Sequence, residues 1–178
     1  MSKMNNLVFK ILHVIAWIIF VGLSIEAGGL IVNFVFSVFK PEFVGNLYQK
    51  LDLSKLHQQS EMVFFGMYSF ILFISILKAI LFYVVIQLLI KLDINKPFSV
   101  FVSSKISQIS QFTFWIGILS FIASQIAKSL QLQGYYIDKL GQFWVDSSAF
   151  ILMAAIIYII SLIFKRGIEL QEENELTI

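Results

Sequence analysis

The chain has 178 residues, 58% of them hydrophobic and 13% charged, with a formal net charge of +2 and no cysteine, and its mean hydropathy is +0.86. That apolar share is far above the level of soluble domains and places the chain in lipid. Four spans of roughly 20 residues each leave no length for a separate soluble domain. The 13 scattered basic residues make no footprint for direct nucleic-acid binding, and the lack of cysteine excludes disulfides, thiol chemistry and thiolate metal sites.

Residues 11–39 form an apolar run whose only charge is Glu26. It is much longer than the core of a signal peptide and predicts a retained first transmembrane helix. Residues 41–61 carry mixed charge and place Phe43, Leu47 and Leu51 at helical spacing, which predicts a short amphipathic helix on the bundle or membrane surface. The second span covers about residues 62–90, with Lys78 its only charge. A turn follows in KLDINKPFS, residues 91–99, marked by Asn95 and Pro97.

From Phe98 onward, Phe101, Val102, Ile106, Ile109 and Phe112 recur at helical spacing among serines and glutamines. This pattern predicts an interfacial helix flowing into a third span over about residues 112–127. Residues 128–142 contain two glycines and the Tyr135–Tyr136 pair and predict a short extended loop at a headgroup boundary. The fourth span covers about residues 143–164 and ends at Lys165–Arg166, followed by an acidic tail over residues 165–178. The expected fold is an all-α integral membrane bundle of four transmembrane helices with short amphipathic interfacial helices, a single membrane domain.

Orientation follows from the lysine and arginine bias of the short loops. An N-in arrangement puts Lys3, Lys10, Lys91, Lys96, Lys105, Lys165 and Arg166 inside, against Lys40, Lys50, Lys55, Lys128 and Lys139 outside. Both termini are then expected in the cytoplasm.

The residues KPFS at 96–99, the amphipathic run after them and the terminal block FKRGIELQEENELTI resemble a bacterial family known as domain of unknown function 2975. The likeness covers the four-span layout and is most specific at Pro97, Phe98 and Ser99 and at Gly167, Leu170, Glu173, Leu176, Thr177 and Ile178. The resemblance implies a protein of the bacterial cytoplasmic membrane without established activity, working beside a small cytoplasmic helix-turn-helix DNA-binding partner. Members of the family commonly place an acid or amide three residues after the serine, where it completes a capping box; here Val102 stands at that reach.

No catalytic constellation is present in the sequence, and no cofactor or metal site is expected. His57 and Glu61 lack the further ligands a metal needs, and the HExxH arrangement is absent. His13 near the start of the first span reads as an ordinary interfacial imidazole. Glu26 and Lys78, each the lone charge of a long apolar run, are expected to meet as an intramembrane charge pair, since a charge at the bilayer centre costs several kcal/mol unless compensated. The pair reads either as a register-fixing contact or as an ion-coupled element. Gly28–Gly29 reads as a close-packing site, and Ser120, Ser124 and Gln125 as interhelical hydrogen-bond partners. A salt bridge between Lys128 and Asp146 is expected near the outer ends of adjacent spans. Trp115, Tyr135, Tyr136 and Trp144 read as aromatic belt anchors.

The tail combines Glu169, Glu172, Glu173 and Glu175 with the apolar residues Ile168, Leu170, Leu176 and Ile178, an acidic strip suited to the 93–99 turn or to a basic partner. Three function classes are open to such a chain: a membrane sensor holding a cytoplasmic regulator, a small-solute or ion transporter component built on Glu26 and Lys78, and a structural membrane subunit.

Overall fold

The computed structural model describes residues 3–45, 47–48, 52–93 and 97–175. Lys50, Leu51, Asn95, Lys96, Leu176, Thr177 and Ile178 lie outside the described residues. Helix α1 covers Lys3–Phe39, α2 Ser54–Gln59, α3 Glu61–Lys91, α4 Val100–Leu132 and α5 Ser147–Glu175, with 3₁₀ turns at Pro41–Gly45 and Asp138–Phe143. Four of these, α1, α3, α4 and α5, are long and apolar enough to cross a membrane.

Successive long helices run antiparallel and pack in chain order, α1 on α3, α3 on α4 and α4 on α5. Aromatic pairs set the α1–α3 register, with ring centroids of Phe20 and Tyr83 5.8 Å apart and those of Phe34 and Phe65 5.7 Å apart. The central helices α3 and α4 are the more buried, while α1 and α5 flank the row and expose most of their apolar side chains. In lipid such exposure carries no hydrophobic penalty, so helix contact depends on packing and interhelical hydrogen bonds.

Such bonds join α1 to α3, where the Tyr68 hydroxyl donates to the Leu30 carbonyl at 3.2 Å, and α4 to α5. Ser103 Oγ donates to the Ser161 carbonyl at 3.3 Å and Ser110 Oγ to the Ala154 carbonyl at 2.8 Å. One further step along the same face, a β-carbon on Gly117 would lie 2.9 Å from Ile151 Cγ1 and 3.2 Å from the Ile151 backbone nitrogen. Gly117→Val is therefore expected to lower stability in detergent by about 1–3 kcal/mol through overpacking. Gly66→Val, at a glycine with open space around it, should leave the same unfolding curve nearly unchanged.

These pairings also fix a stagger. The first residue of α5 lies level with about residue 120 of α4, so about twelve residues of α4, roughly 18 Å, extend past the start of α5. Residues 133–146 fold back to fill that space. Gly134 turns the chain with φ of 89°, a left-handed value suited to glycine. Tyr135 N donates to Leu130 O and Gly134 N to Gln131 O, the Schellman pattern that closes a helix. Ile137 and, in the 3₁₀ turn Asp138–Phe143 that follows it, Leu140 and Phe143 are then buried in a core with Leu30, Leu56, Phe64, Tyr68 and Ile71. The segment expected as an extended loop at a headgroup boundary is thus a folded plug at one end of the bundle.

Other expectations are modified in the same way. The described residues of 41–61 include the 3₁₀ turn Pro41–Gly45 and, separately, α2, at whose start the Asp52 carboxylate accepts from Ser54 N at 3.0 Å and Ser54 Oγ at 2.6 Å. Leu47, Leu53 and Leu56 from this stretch are buried. The interfacial helix and third span are one unbroken α4, of whose serines Ser103 and Ser110 bond α5. Ser99 caps it, accepting from Val102 N at 3.3 Å; Val102 has no side-chain oxygen with which to return the bond. In the Gly28–Gly29 pair only Gly29 is closely packed, with Tyr48 Cδ2 2.6 Å from where its β-carbon would stand.

Candidate functional site

The lone charges of the first two spans, Glu26 on α1 and Lys78 on α3, each find a polar neighbour, on α3 and on the plug. Ser75 Oγ donates to Glu26 Oε1 at 3.4 Å, and Lys78 Nζ donates to the Phe143 carbonyl at 3.5 Å. The carboxylate and the ammonium occupy adjacent helices and interact electrostatically, but the direct Glu26–Lys78 contact is not formed. Each charge instead meets a neutral partner.

The reason lies in where helical side chains point. On a helix the Cα–Cβ bonds tilt toward the N-terminus, and α3 begins at the plug end, so the Lys78 stem is carried toward residues 138–143. There the end of the 3₁₀ turn leaves a carbonyl without an intrahelical donor. A cation at a helical carbonyl end is electrostatically favourable. Because Lys78 lies 17 residues into α3, roughly 25 Å from its start, this carbonyl sits well below the end of the bundle. Non-helical backbone at such depth is tolerated only when protein buries and satisfies it; Phe143 is 4% exposed.

The plug is also latched from above. Gln59 Nε2 donates to the Gly134 carbonyl at 3.0 Å, while Tyr136 N donates to Gln59 Oε1 at 3.0 Å. Lys55 Nζ stands 4.8 Å from the centre of the Tyr136 ring. His57 stacks edgewise on Phe64, with centroids 5.1 Å apart. Tyr135 and Trp144 pack against the core, whereas Tyr136 and Trp115 are exposed. The Lys128–Asp146 bridge is not formed: Asp146 caps α5 instead, its Oδ1 accepting from Ala149 N at 3.1 Å. Among the expected hydroxyl partners, Ser124 bonds its own helix at Phe121 O and Ser120 is buried without a partner. On α4 it is Ser103 and Ser110 that bond the neighbouring helix α5. His13 Nε2 accepts from Trp17 Nε1 at 3.1 Å.

At the end of the bundle that carries both termini, the turn at Pro97, Phe98 and Ser99 meets α5. The Phe98 ring lies 5.3 Å from that of Phe164. A β-carbon on Gly167 would stand 2.5 Å from Phe98 Cδ1, so glycine is what lets the ring lie against the helix backbone. The acidic tail is a continuation of α5 to Glu175. A short peptide of this length would not form a helix alone, but the span supplies the costly nucleus and each further residue adds a bond. Arg166 Nη1 and Glu169 Oε2, 2.7 Å apart, add a small exposed i,i+3 contact. Ile168, Glu169 and Glu172 line a groove of about 320 Å³ with Val100, Ser103, Ser104 and Lys165, while Leu170 is exposed.

Sequence reasoning selected Glu26, Lys78, Phe98 and Gly167 but missed Ser75, the Phe143 carbonyl, Gln59 and the Ser103 and Ser110 seam. Comparison with family models, with curated proteins and with solved structures finds no match to this chain.

Proposed function

We propose that the chain is a non-enzymatic, four-span protein of the bacterial cytoplasmic membrane, with both termini cytoplasmic, that responds to a membrane condition and tethers or regulates a small cytoplasmic helix-turn-helix regulator. The observation that carries this reading is the seating of Phe98 on Gly167. It ties the α3–α4 turn to the base of the acidic extension of α5, so a shift between the central helices is passed directly to the surface offered to a partner. Glu172, Glu173 and Glu175 lie in the last turn of α5, where the helix dipole disfavours anions; a basic partner relieves that repulsion. The resemblance to the family named above supplies the class of partner. The transport reading is the weaker one, since α1 and α3 are continuous at Glu26 and Lys78, whereas transporter sites are typically built on interrupted helices.

The test is a crosslinking pull-down from membranes, comparing the full chain with one ending at Arg166 and with Glu172, Glu173 and Glu175 changed to glutamine. The full chain should recover a basic DNA-binding protein. Recovery should fall with the triple variant and vanish with the truncation, while membrane insertion stays normal. It should also decline as salt rises, because exposed charges are screened over about 8 Å at physiological ionic strength. Partners retained by the truncated chain would move the structural or transport reading ahead.

A further inference from the structure

A cavity of about 240 Å³ opens between the end of α3 and the start of α4, lined by Gln87, Ile90, Lys91, Phe101 and Lys105. Two ammonium groups converge on it. Lys91 Nζ stands 4.8 Å and Lys105 Nζ 5.7 Å from the centre of the one Phe101 ring, so charges from two helices are drawn to the same aromatic side chain. A single lysine that snorkels at the end of a span needs no explanation. Two at one ring repel each other, and an anion between them turns that repulsion into attraction.

No acidic residue lines the cavity. Asp93 is the only carboxylate between Glu61 and Asp138, and the ion pair found among the described residues, Arg166 with Glu169, uses neither lysine. Lys105 donates one N–H to Gln108 Oε1 at 3.0 Å, which leaves the other donors of its ammonium for a further acceptor. The depth is also informative. Helix α3 has 31 residues, roughly 46 Å at the helical rise, enough to cross the hydrocarbon core and both headgroup layers, about 40–45 Å together. Lys91, its last residue, therefore lies at headgroup level. Gln87 lies one turn deeper, and Ile90 beside it is 60% exposed.

We propose that this cavity binds the phosphate of an anionic phospholipid, in the leaflet at the end of the bundle that carries both termini. The two ammonium groups take the phosphate oxygens in charge-assisted hydrogen bonds, as basic pockets between spans do. The Gln87 amide, one turn deeper, stands at the level of the lipid's ester carbonyls and can donate to one. Ile90 borders the start of an acyl chain. A zwitterionic lipid fits less well, because its own ammonium meets two lysines and no carboxylate. A soluble phosphate also fits less well, since it leaves the amide and the exposed isoleucine without a counterpart. The inference names the membrane condition of the sensing reading above and rests on that reading for its role, yet its test involves neither the tail nor a partner, so either can fail alone.

The test uses the full chain in phosphatidylcholine vesicles, with phosphatidylglycerol or phosphatidylcholine spin-labelled on the acyl chain as probe. Electron spin resonance gives the motionally restricted fraction of each lipid and hence their relative association with the protein. Phosphatidylglycerol should be preferred. Lys91→Gln/Lys105→Gln should lower the preference roughly fivefold or to parity, with helical circular dichroism unchanged. Phe101→Leu keeps both charges and should lower it about twofold, the size of a weak cation–π contact. Lys10→Gln/Lys165→Gln removes the same charge from the same end of the bundle and should leave it nearly intact, and millimolar glycerol phosphate should not compete. Equal association of the two lipids, or a preference that survives Lys91→Gln/Lys105→Gln or is indifferent to Phe101→Leu, overturns the proposal. So does an equal loss in both double variants, which would assign the preference to general surface charge. Competition by glycerol phosphate would give the cavity to a soluble phosphate and overturn it as well.

Discussion

Replacing Lys78 by methionine is expected to lower the stability of the purified protein by about 1–3 kcal/mol, the cost of leaving a buried acceptor without its donor. Two losses combine. The Phe143 carbonyl loses the ammonium that reaches it at 3.5 Å, and Glu26 loses the nearby positive charge. Glu26→Gln should be milder, because the amide oxygen can still accept from Ser75. The double variant Glu26→Gln/Lys78→Met should recover part of the loss, since it leaves no lone carboxylate among apolar helices. Unfolding in mixed micelles gives the three numbers. A cysteine placed at Leu140, which is fully buried, gives an independent readout, as thiol reagents should reach it faster in the Lys78→Met background. A Lys78→Met protein within about 0.5 kcal/mol of the parent, the size of a neutral surface change, with Leu140→Cys still protected, would mean that the plug is held by apolar packing alone.

The role of Lys78 also shows where the sequence stops being legible. Long apolar runs announce the four spans, because in lipid a helix must satisfy its own backbone whatever its neighbours do. They say nothing about stagger, so the sequence reading paired Lys78 with the other conspicuous charge, and the backbone carbonyl that it meets has no signature in side-chain chemistry. A signal for the plug does exist. Ile137, Leu140 and Phe143 follow at intervals of three, the period of a 3₁₀ helix, inside a stretch whose glycines and tyrosines suggest only a loop. The α4–α5 seam is similarly encoded by Ser103, Ser110 and Gly117 at intervals of seven, answered by Ala154 and Ser161 on α5. Small residues at that spacing let two membrane helices approach, but scattered among Ser104, Ser107 and Gln108 they read as the polar face of an interfacial helix. The tail is ambiguous for another reason. Its glutamates, leucine and glutamine favour helix, yet only attachment to a preceding span makes a helix of that length stable.

The Gly167–Phe98 contact should be revealed by non-additivity. Gly167→Leu places a side chain where the Phe98 ring now lies, with even a β-carbon only 2.5 Å from Phe98 Cδ1, and should lower stability by about 1–3 kcal/mol. The ring cannot swing aside without loss, because it also packs on Phe164. Phe98→Ala alone removes that packing from a partly exposed site and should have a smaller effect. Combining the two should be less harmful than their sum, with a coupling of about 0.5–3 kcal/mol as expected for residues in contact. Gly167→Ala should fall between the parent and Gly167→Leu. The same variants separate packing from signalling. If the turn transmits helix movement to the acidic extension, Gly167→Leu should reduce partner recovery at a temperature where the protein is still folded, and Phe98→Ala in the same chain should not restore it, because the linkage is then absent. Recovery that simply follows the folded fraction through all four proteins would make Gly167 a packing residue, and the extension would act independently of the spans beneath it.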